Sequence, residues 1–385
     1  MNVTIEEQYV LKTLQDLVRI NSINPMLVPG SPAELEIGNY IKDQLREMHV
    51  DTKLCELGSG RVNVVAVIAG LGGGKSLMFN GHMDTVGVHG MRDPFSAEIR
   101  GGKLYGRGAQ DMKSGLAAML AAIKTIVDSS VRLKGDVILA AVADEEHGSI
   151  GTEALVKVCK ADAAIVTEPT DLEICLAHKG FCVFEIETKG RAAHGGCYMD
   201  GIDANLHMGR ILAELDKHSS QLHEGRKHPL LGSPSLLVPL VSGGTHQFVY
   251  PDKCTISLER RTIPGESSGE IEAGLQEILN KLASEDPRFN ATIRTAMVRD
   301  PYEISPDSEI VKIVEAAAGQ VLGRIPAHIG HPWWEDSALI AESGASTVIF
   351  GARGAGLHTT EEWVEIQSVM DLARILALSA INYCS

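Results

Sequence analysis

Apolar residues in the first half of the chain follow helical and strand-like patterns in alternation. Apolar positions three and four residues apart predict two amphipathic helices, within residues 1–20 and 32–50. Nearly uninterrupted apolar runs predict strands at residues 63–69, 76–80, 136–143 and 163–169, with helices at 112–127 and 151–160. Strands that alternate with helices predict an α/β sheet covered on both faces.

From residue 178 onward the pattern changes. Strand-like alternation at residues 180–190 is followed by a helix at 203–218, a strand at 254–264 and a helix at 268–285. The α/β pattern then returns, with helices predicted at 308–323 and 361–381 and a strand at 346–351. We therefore predict a small α+β domain, residues 178–296, inserted into an α/β domain formed by residues 1–177 and 297–385.

Composition narrows the possible classes of protein. A chain of 385 residues, 44% hydrophobic and 22% charged, is typical of a globular protein with two domains. No apolar run is long enough to cross a bilayer and the N-terminus is not a basic-then-apolar signal, so we expect a cytoplasmic protein without a membrane partner. The net charge of −15 and the lack of a basic cluster exclude nucleic acid as a partner.

Acidic and histidine residues follow several predicted strands, where open α/β sheets bind their ligands. The candidates are His82, Asp84, Asp111, Glu145, Glu146, Glu168 and His358. Taken singly, each has an ordinary structural explanation: a hydrogen-bonded loop histidine, a helix cap or a solvated glutamate. Taken together at one sheet edge, two histidines and three carboxylates suit a pair of zinc-like ions, with one further glutamate as a base.

Motifs spread over nearly the whole chain resemble those of the zinc-dependent exopeptidases and amidohydrolases. This family includes acetylornithine deacetylase, succinyl-diaminopimelate desuccinylase and carboxypeptidase G. The matching segments are GHMDTV, GRGAQDMKSGLAAML, ADEEHGSIGT, TEPT, KGRAAHGG, ERRTIPGE and LHTTEEWV. The resemblance implies a catalytic domain with a mixed sheet between helices and an inserted ferredoxin-like domain that serves as a lid and in dimerisation.

The resemblance also assigns roles within the candidate cluster. It implies that His82, Asp111 and Glu168 hold one Zn²⁺, with Co²⁺ or Mn²⁺ as possible substitutes. It implies that Asp111 bridges to a second ion completed by Glu146 and His358, and that the Asp111–Met112 peptide is cis. Asp84 would orient His82, and Glu145 would be the general base that takes a proton from the attacking water.

Further roles are implied for the inserted domain. His194 matches a histidine that in relatives reaches the active site of the partner subunit, which implies a homodimer; a turn histidine among glycines is the alternative, and the sequence leaves open whether His194 acts in cis or in trans. Arg261 matches an arginine that binds the substrate carboxylate, a role that Arg260 could share.

The sequence departs from the family pattern at two places. Phe248 replaces an asparagine that helps to bind substrate in relatives, so substrate contacts are expected to differ. Trp333 and Trp334 replace small residues, and they either line a pocket for a bulky apolar or aromatic group or pack in the core.

We therefore expect a dinuclear hydrolase that cleaves the amide of an N-acyl amino acid or a small peptide-like substrate with a free carboxylate. A dipeptidase or tripeptidase, or an aminohydrolase acting on an arylamine, would use the same site. A non-catalytic binding protein is the alternative from another class. Such a protein normally lacks a ligand or the base, and every expected ligand and the base are present here.

Overall fold

A computed structural model describes residues 3–129 and 131–385 of the chain. It divides into two compact units. The first comprises the chain up to Leu176 together with Ile304–Ile329 and Glu335–Ser385, and the second comprises Ala177–Glu303 and Gly330–Trp334. The two units are described separately below.

Helices and strands alternate through much of the chain. The helices are α1 (Glu7–Arg19), α2 (Leu35–Glu47), α3 (Lys113–Asp128), α4 (Ile150–Val158), α5 (Ala204–Glu224), α6 (Ser268–Glu285), α7 (Glu309–Leu322), α8 (Ser337–Glu342) and α9 (Ile366–Tyr383). The strands are β1 (Asp51–Gly58), β2 (Arg61–Ile68), β3 (Leu77–His82), β4 (Glu98–Arg100), β5 (Lys103–Tyr105), β6 (Val137–Val142), β7 (Ala163–Val166), β8 (Ile174–His178), β9 (Gly180–Lys189), β10 (Ser235–Gly243), β11 (Lys253–Thr262), β12 (Ala291–Arg299), β13 (Tyr302–Glu303), β14 (His328–His331), β15 (Ser346–Ile349), β16 (Gly354–Ala355) and β17 (Trp363–Glu365).

A mixed sheet forms the centre of the first unit, with the strand order β1-β2-β6-β3-β7-β15-β8. β3 is parallel to both β6 and β7, whereas β2 is antiparallel to β1 and β6. Every residue of β3, β6 and β7 is buried, as expected for strands covered on both faces. This mixed sheet with its helices confirms the predicted fold class.

A small sheet in the first unit pairs two segments that are distant in sequence, β4 with β5 and β16 with β17. Its strand order is β16-β17-β5-β4, and Trp363 pairs with Tyr105 in antiparallel fashion. The prediction that the last helix begins at residue 361 was wrong, because Trp363–Glu365 forms β17 and α9 begins at Ile366. The pairing with β5, a contact between distant segments, overrides the helical pattern.

The second unit is a four-stranded antiparallel sheet, order β10-β11-β9-β12, with α5 and α6 packed against it. The chain order β9-α5-β10-β11-α6-β12 is that of a ferredoxin-like motif. The sequence patterns predicted β9 and β11 but not β10. Every residue of β10 is half-buried or exposed, and a bulge shifts its register between Leu237 and Leu240. The domain boundaries 178–296, and the roles of this unit as lid and dimer contact, stay predictions.

Within the part of the chain that the structure describes, no helix is both long and apolar enough to span a membrane.

Candidate metal centre

The ends of three neighbouring strands bring acidic and histidine side chains to one edge of the central sheet. β3 lies between β6 and β7 and runs parallel to both, so their carboxyl ends lie together. His82 is the last residue of β3, Glu145 and Glu146 follow β6, and Glu168 follows β7.

Asp111 lies between two histidines from distant parts of the chain. It precedes α3, while His358 lies in the loop between β16 and β17. Its Oδ1 is 3.0 Å from Nε2 of His82, and its Oδ2 is 3.2 Å from Nε2 of His358. One carboxylate thus faces both imidazoles with one oxygen each, as a bridging ligand would. The Asp111–Met112 peptide is cis, as the resemblance implies.

Each histidine has a further carboxylate beside it. Nε2 of His82 is 3.4 Å from Oε1 of Glu168, and Nε2 of His358 is 3.2 Å from Oε2 of Glu146. We call His82, Asp111 and Glu168 the His82 half of the centre, and Asp111, Glu146 and His358 the His358 half. The structure brings all five predicted ligands together, and their binding of metal stays a prediction.

Burial makes the carboxylates of this centre costly to ionise without a cation. It raises the pKa of Glu168 well above its ordinary value, and burial together with Asp111 raises the pKa of Glu146 to about 7. Burial would also raise the pKa of Asp111, but hydrogen bonds with His358 and His82 outweigh it and lower that pKa.

The histidines respond to the same acidic surroundings. Burial alone would lower the pKa of His82, but Glu168 and Asp111 outweigh it and raise that pKa well above its ordinary value. Hydrogen bonds with Asp111 and Glu146 raise the pKa of His358 to about 10. The carboxylates around the two histidines therefore favour positive charge at both imidazoles.

The chemistry of these residues fits a pair of divalent cations. Imidazole nitrogens and carboxylate oxygens are the ligands that zinc-like ions accept together. Ligand atoms of His82, Asp111 and Glu146 all lie within 4.8 Å of one another. Oε1 of Glu146 is buried and has no hydrogen-bond partner among the described residues, so it is available to a bound ion.

Glu145 lies beside the His82 half. One ligand atom each of Glu145, His82 and Glu168 lie within 4.8 Å of one another. Burial raises the pKa of Glu145 well above its ordinary value. A carboxylate with a raised pKa, within reach of the reacting atoms, has the properties of a general base.

Asp84 joins His82 to the loop that carries the glutamates. Nδ1 of His82 is 2.9 Å from the main-chain oxygen of Asp84 and 3.6 Å from its carboxylate Oδ1. The carboxylate accepts hydrogen bonds from the main-chain nitrogens of Glu145 at 3.2 Å and Glu146 at 3.3 Å, and from Nδ2 of Asn24 at 2.8 Å.

A buried network that the sequence analysis did not predict lies behind Asp84. Nδ2 of Asn24 also donates to Oδ1 of Asp144 at 2.9 Å, and that oxygen accepts from Nη2 of Arg61 at 2.8 Å. Arg61 forms two hydrogen bonds with Glu34, at 2.6 and 2.7 Å. The available signal was Arg61 at the start of an apolar run, since a buried arginine requires a carboxylate partner.

Two predicted site residues lie on exposed loops of the second unit. His194 is exposed, and its Nδ1 accepts a hydrogen bond from the main-chain nitrogen of Gly196 at 3.1 Å. It forms an isolated β-bridge with Val249. Phe248 is 71% exposed, so its ring is not part of a packed core in the single chain.

The two adjacent arginines of β11 differ in environment. Arg260 is buried, and its Nη2 donates to Oε1 of Glu266 at 2.6 Å. Arg261 is half-buried, its Nε donates to Oε1 of Glu259 at 2.6 Å, and its guanidinium lies 5.1 Å from the ring centre of Phe181. Arg261 is therefore the more accessible of the two.

The two tryptophans also differ. The ring of Trp333 is exposed and stacks on His331 with 4.6 Å between ring centres. Trp334 packs edge-on against Phe181 and His178, at 6.4 and 6.2 Å, and its Nε1 donates to the main-chain oxygen of Asp300 at 3.1 Å. The second unit thus contains an aromatic cluster around Trp334.

Comparison with known proteins identifies the family. Residues 78–382 match the model of peptidase family M20/M25/M40. The chain belongs to this family. M20/M25/M40 peptidases hydrolyse amide bonds, so the chain is an amide hydrolase, and the match confirms the resemblance drawn from its motifs.

Relatives in the M20/M25/M40 family differ in what they cleave. The chain is 29% identical to the acetylornithine deacetylase of Myxococcus xanthus over 97% of either protein. It is 28% identical to the N-formyl-4-amino-5-aminomethyl-2-methylpyrimidine deformylase of Bacillus subtilis, covering 93% of this chain and 92% of the relative. An aminopeptidase structure from Bacillus cereus superposes with a TM-score of 0.81 at 19% identity, covering 99% of this chain and 100% of that one, and shows the same fold.

Proposed function

We propose that the chain is a dinuclear zinc hydrolase that cleaves the amide bond of an N-acyl amino acid or a small peptide-like molecule with a free carboxylate. The observation that carries the proposal is the position of Asp111, with one carboxylate oxygen directed at His82 and the other at His358. Membership of the M20/M25/M40 family and the 29% identity to an acetylornithine deacetylase support the reaction type.

We assign the two ions to the two halves of the centre. His82, Asp111 and Glu168 would hold one, and Asp111, Glu146 and His358 the other. Bound there, a pair of divalent cations supplies Lewis acidity toward an amide carbonyl and lowers the pKa of water. Zinc is proposed because mixed imidazole and carboxylate ligands suit it, and Co²⁺ or Mn²⁺ would be substitutes.

Glu145 is assigned the proton transfers. It would accept a proton from the attacking water and donate it to the leaving amine. Asp84 fixes the orientation of His82 through Nδ1, and its hydrogen bonds to the main chain of Glu145 and Glu146 hold the base and a ligand on the same support.

The second unit is proposed to recognise the substrate. Arg261 would bind the carboxylate, because Arg260 is buried against Glu266 whereas Arg261 retains exposure. His194 would polarise the reacting carbonyl, in cis or in trans, and Phe248, Trp333 and Trp334 would contact the substrate side chain.

Dimerisation through the second unit is part of the proposal. The second unit exposes several large apolar side chains, and exposed apolar surface is typical of protein contacts. They include Tyr198, Met199, Leu237, Leu240, Val241 and Phe248. Light scattering that gives the 41.3 kDa of one chain at all protein concentrations would contradict the dimer. We place the protein in the cytoplasm.

Two observations favour a second substrate class. The aromatic cluster around Trp334 and the 28% identity to a deformylase of an aminopyrimidine support an N-acyl arylamine as the alternative substrate. Cleavage of dipeptides or tripeptides at the same centre is not favoured over deacylation.

The experiment compares kcat/KM across N-acetyl, N-formyl and N-succinyl amino acids, N-acyl arylamines and dipeptides, with zinc-loaded protein. Glu145→Gln is expected to lower kcat by about 10²–10⁴-fold because it removes the base, while zinc binding is retained. Glu47→Gln, an exposed glutamate of α2, is the matched control. A Glu145→Gln variant with wild-type turnover would refute the mechanism.

A further inference from the structure

A buried ion pair joins two of the three loops that supply the His358 half of the centre, namely the loops that carry Asp111 and His358. Nη1 of Arg107 lies 2.6 Å from Oε2 of Glu362, and both side chains are at most 1% exposed. Arg107 precedes α3 by a short loop that contains Asp111, and Glu362 follows His358 by four residues. The pair therefore connects segments that are distant in sequence.

Glu362 is bound almost entirely by the loop that carries Asp111. Its Oε2 also accepts from the main-chain nitrogen of Gly108 at 3.1 Å. Its Oε1 accepts from the main-chain nitrogens of Gln110 at 2.8 Å and of Asp111 itself at 3.0 Å. With Arg107 included, each carboxylate oxygen of Glu362 accepts two hydrogen bonds, and all four donors belong to the loop that carries Asp111.

The pair of Arg107 and Glu362 also contacts the main chain of the loop that carries His358. Nη2 of Arg107 donates to the main-chain oxygen of Thr359 at 2.7 Å, and Thr359 directly follows His358. The main-chain nitrogen of Gly106 donates to the main-chain oxygen of Glu362 at 3.1 Å. The connections thus end on the main chain of one ligand, Asp111, and on the residue next to another, His358.

We propose that Glu362, with Arg107, is a positioning residue that sets the distance between Asp111 and His358 and so determines the affinity of the His358 half for its metal. The proposal rests on the proposed function, since it requires a metal at that half. Glu362 acts through the backbone that carries the candidate ligands, because its hydrogen bonds reach the main chain of Asp111 rather than its carboxylate.

The chemistry of the pair predicts which substitution is informative. Glutamine has the shape of glutamate, but its amide nitrogen is a donor. In Glu362→Gln that nitrogen must face either Arg107 and Gly108 or the main-chain nitrogens of Gln110 and Asp111. The amide nitrogen of the glutamine and a nitrogen of the Asp111 loop would then both be donors without an acceptor in a buried site. Because this is unfavourable, we expect the Asp111 loop to move away from the His358 loop.

The test is a titration of metal-free protein with Co²⁺, followed by visible absorption, which reports coordination directly and needs no substrate. Wild-type protein is expected to bind in two steps, and His358→Ala identifies the step that belongs to the His358 half. Glu362→Gln is expected to weaken that same step by about 10–100-fold. The adjacent Glu361→Gln, at an exposed position, is the matched control and is expected to bind as wild type does.

The outcomes separate this inference from the proposed function. Wild-type protein that fails to bind two Co²⁺ would refute the proposed centre itself. If the wild type binds two, then Glu362→Gln with both affinities within about twofold of wild type, or with the other step weakened instead, overturns the inference. Arg107→Lys keeps the charge but has one nitrogen in place of the two that reach Glu362 and Thr359, and it is expected to weaken the same step in the same titration. Failure of both variants to fold without metal would also overturn it, since the pair would then be a folding requirement only.

Discussion

At the scale of single residues, the centre depends on side chains that are buried and mutually dependent. Asp111 faces two imidazoles, and Asp84 is held by Asn24 and by the main chain of the two glutamates. Because a buried carboxylate without partners is costly, each of these groups fixes its neighbours. The strength of metal binding should therefore be sensitive to residues that never touch the ion.

Asn24→Leu tests this dependence. The variant keeps the approximate shape but removes both donors, to Asp84 and Asp144. We expect the free energy of unfolding without metal to fall by about 1–3 kcal/mol, and Co²⁺ affinity of the His82 half to fall by about 10–100-fold.

Urea denaturation and the Co²⁺ titration measure the two effects. Asn39→Leu, on the partly exposed surface of α2, is the control. We expect it to leave both the free energy of unfolding and the Co²⁺ affinity close to those of the wild type. Unchanged metal affinity in Asn24→Leu would show that Asp84 does not need this support.

At the scale of elements, α3 packs closely against the end of β7. A Cβ added at Gly115 would lie 2.5 Å from both the main-chain oxygen and Oγ1 of Thr167, next to Glu168. The glycine in α3 thus sets the distance between the helix that follows Asp111 and the strand that precedes Glu168. Because Asp111 and Glu168 both belong to the His82 half, the spacing of α3 and β7 influences how far apart these two ligands lie.

Gly115→Ala is expected to destabilise the protein by about 1–3 kcal/mol because the main chain must move apart, although alanine favours a helix. Gly319→Ala in α7, where the nearest atom to the added Cβ is 3.9 Å away, has only the helical gain and should stabilise by about 0.5–1 kcal/mol. Thermal unfolding of both variants checks the opposite signs, and equal signs would contradict the packing argument.

The elements also show what could be predicted from the sequence. The strands β3, β6 and β7 and their terminal residues were predictable, because buried parallel strands are nearly continuous apolar runs. β17 was not, because its three residues resemble the start of α9 and only pairing with β5 distinguishes them. The hydrogen-bond partners of Asn24, Arg61 and Glu362 were not predictable either, since Asp84, Asp144 and Arg107 lie 60, 83 and 255 residues away from them in the chain.

At the scale of the whole molecule, residues from the first quarter of the chain and from its last part form one centre. His82 lies within hydrogen-bonding distance of one carboxylate oxygen of Asp111, and His358 lies within the same distance of the other. Binding of two metal ions by one chain therefore requires that these distant segments of the first unit fold together.

The most direct test is a titration of the metal-free chain with Zn²⁺ while hydrolysis of an N-acetyl amino acid is followed. We predict that two Zn²⁺ bind per chain and that hydrolysis rises from nothing to its full rate as these sites fill. Full hydrolysis by the metal-free chain, or binding of fewer than two Zn²⁺ per chain, would contradict the proposed dinuclear centre.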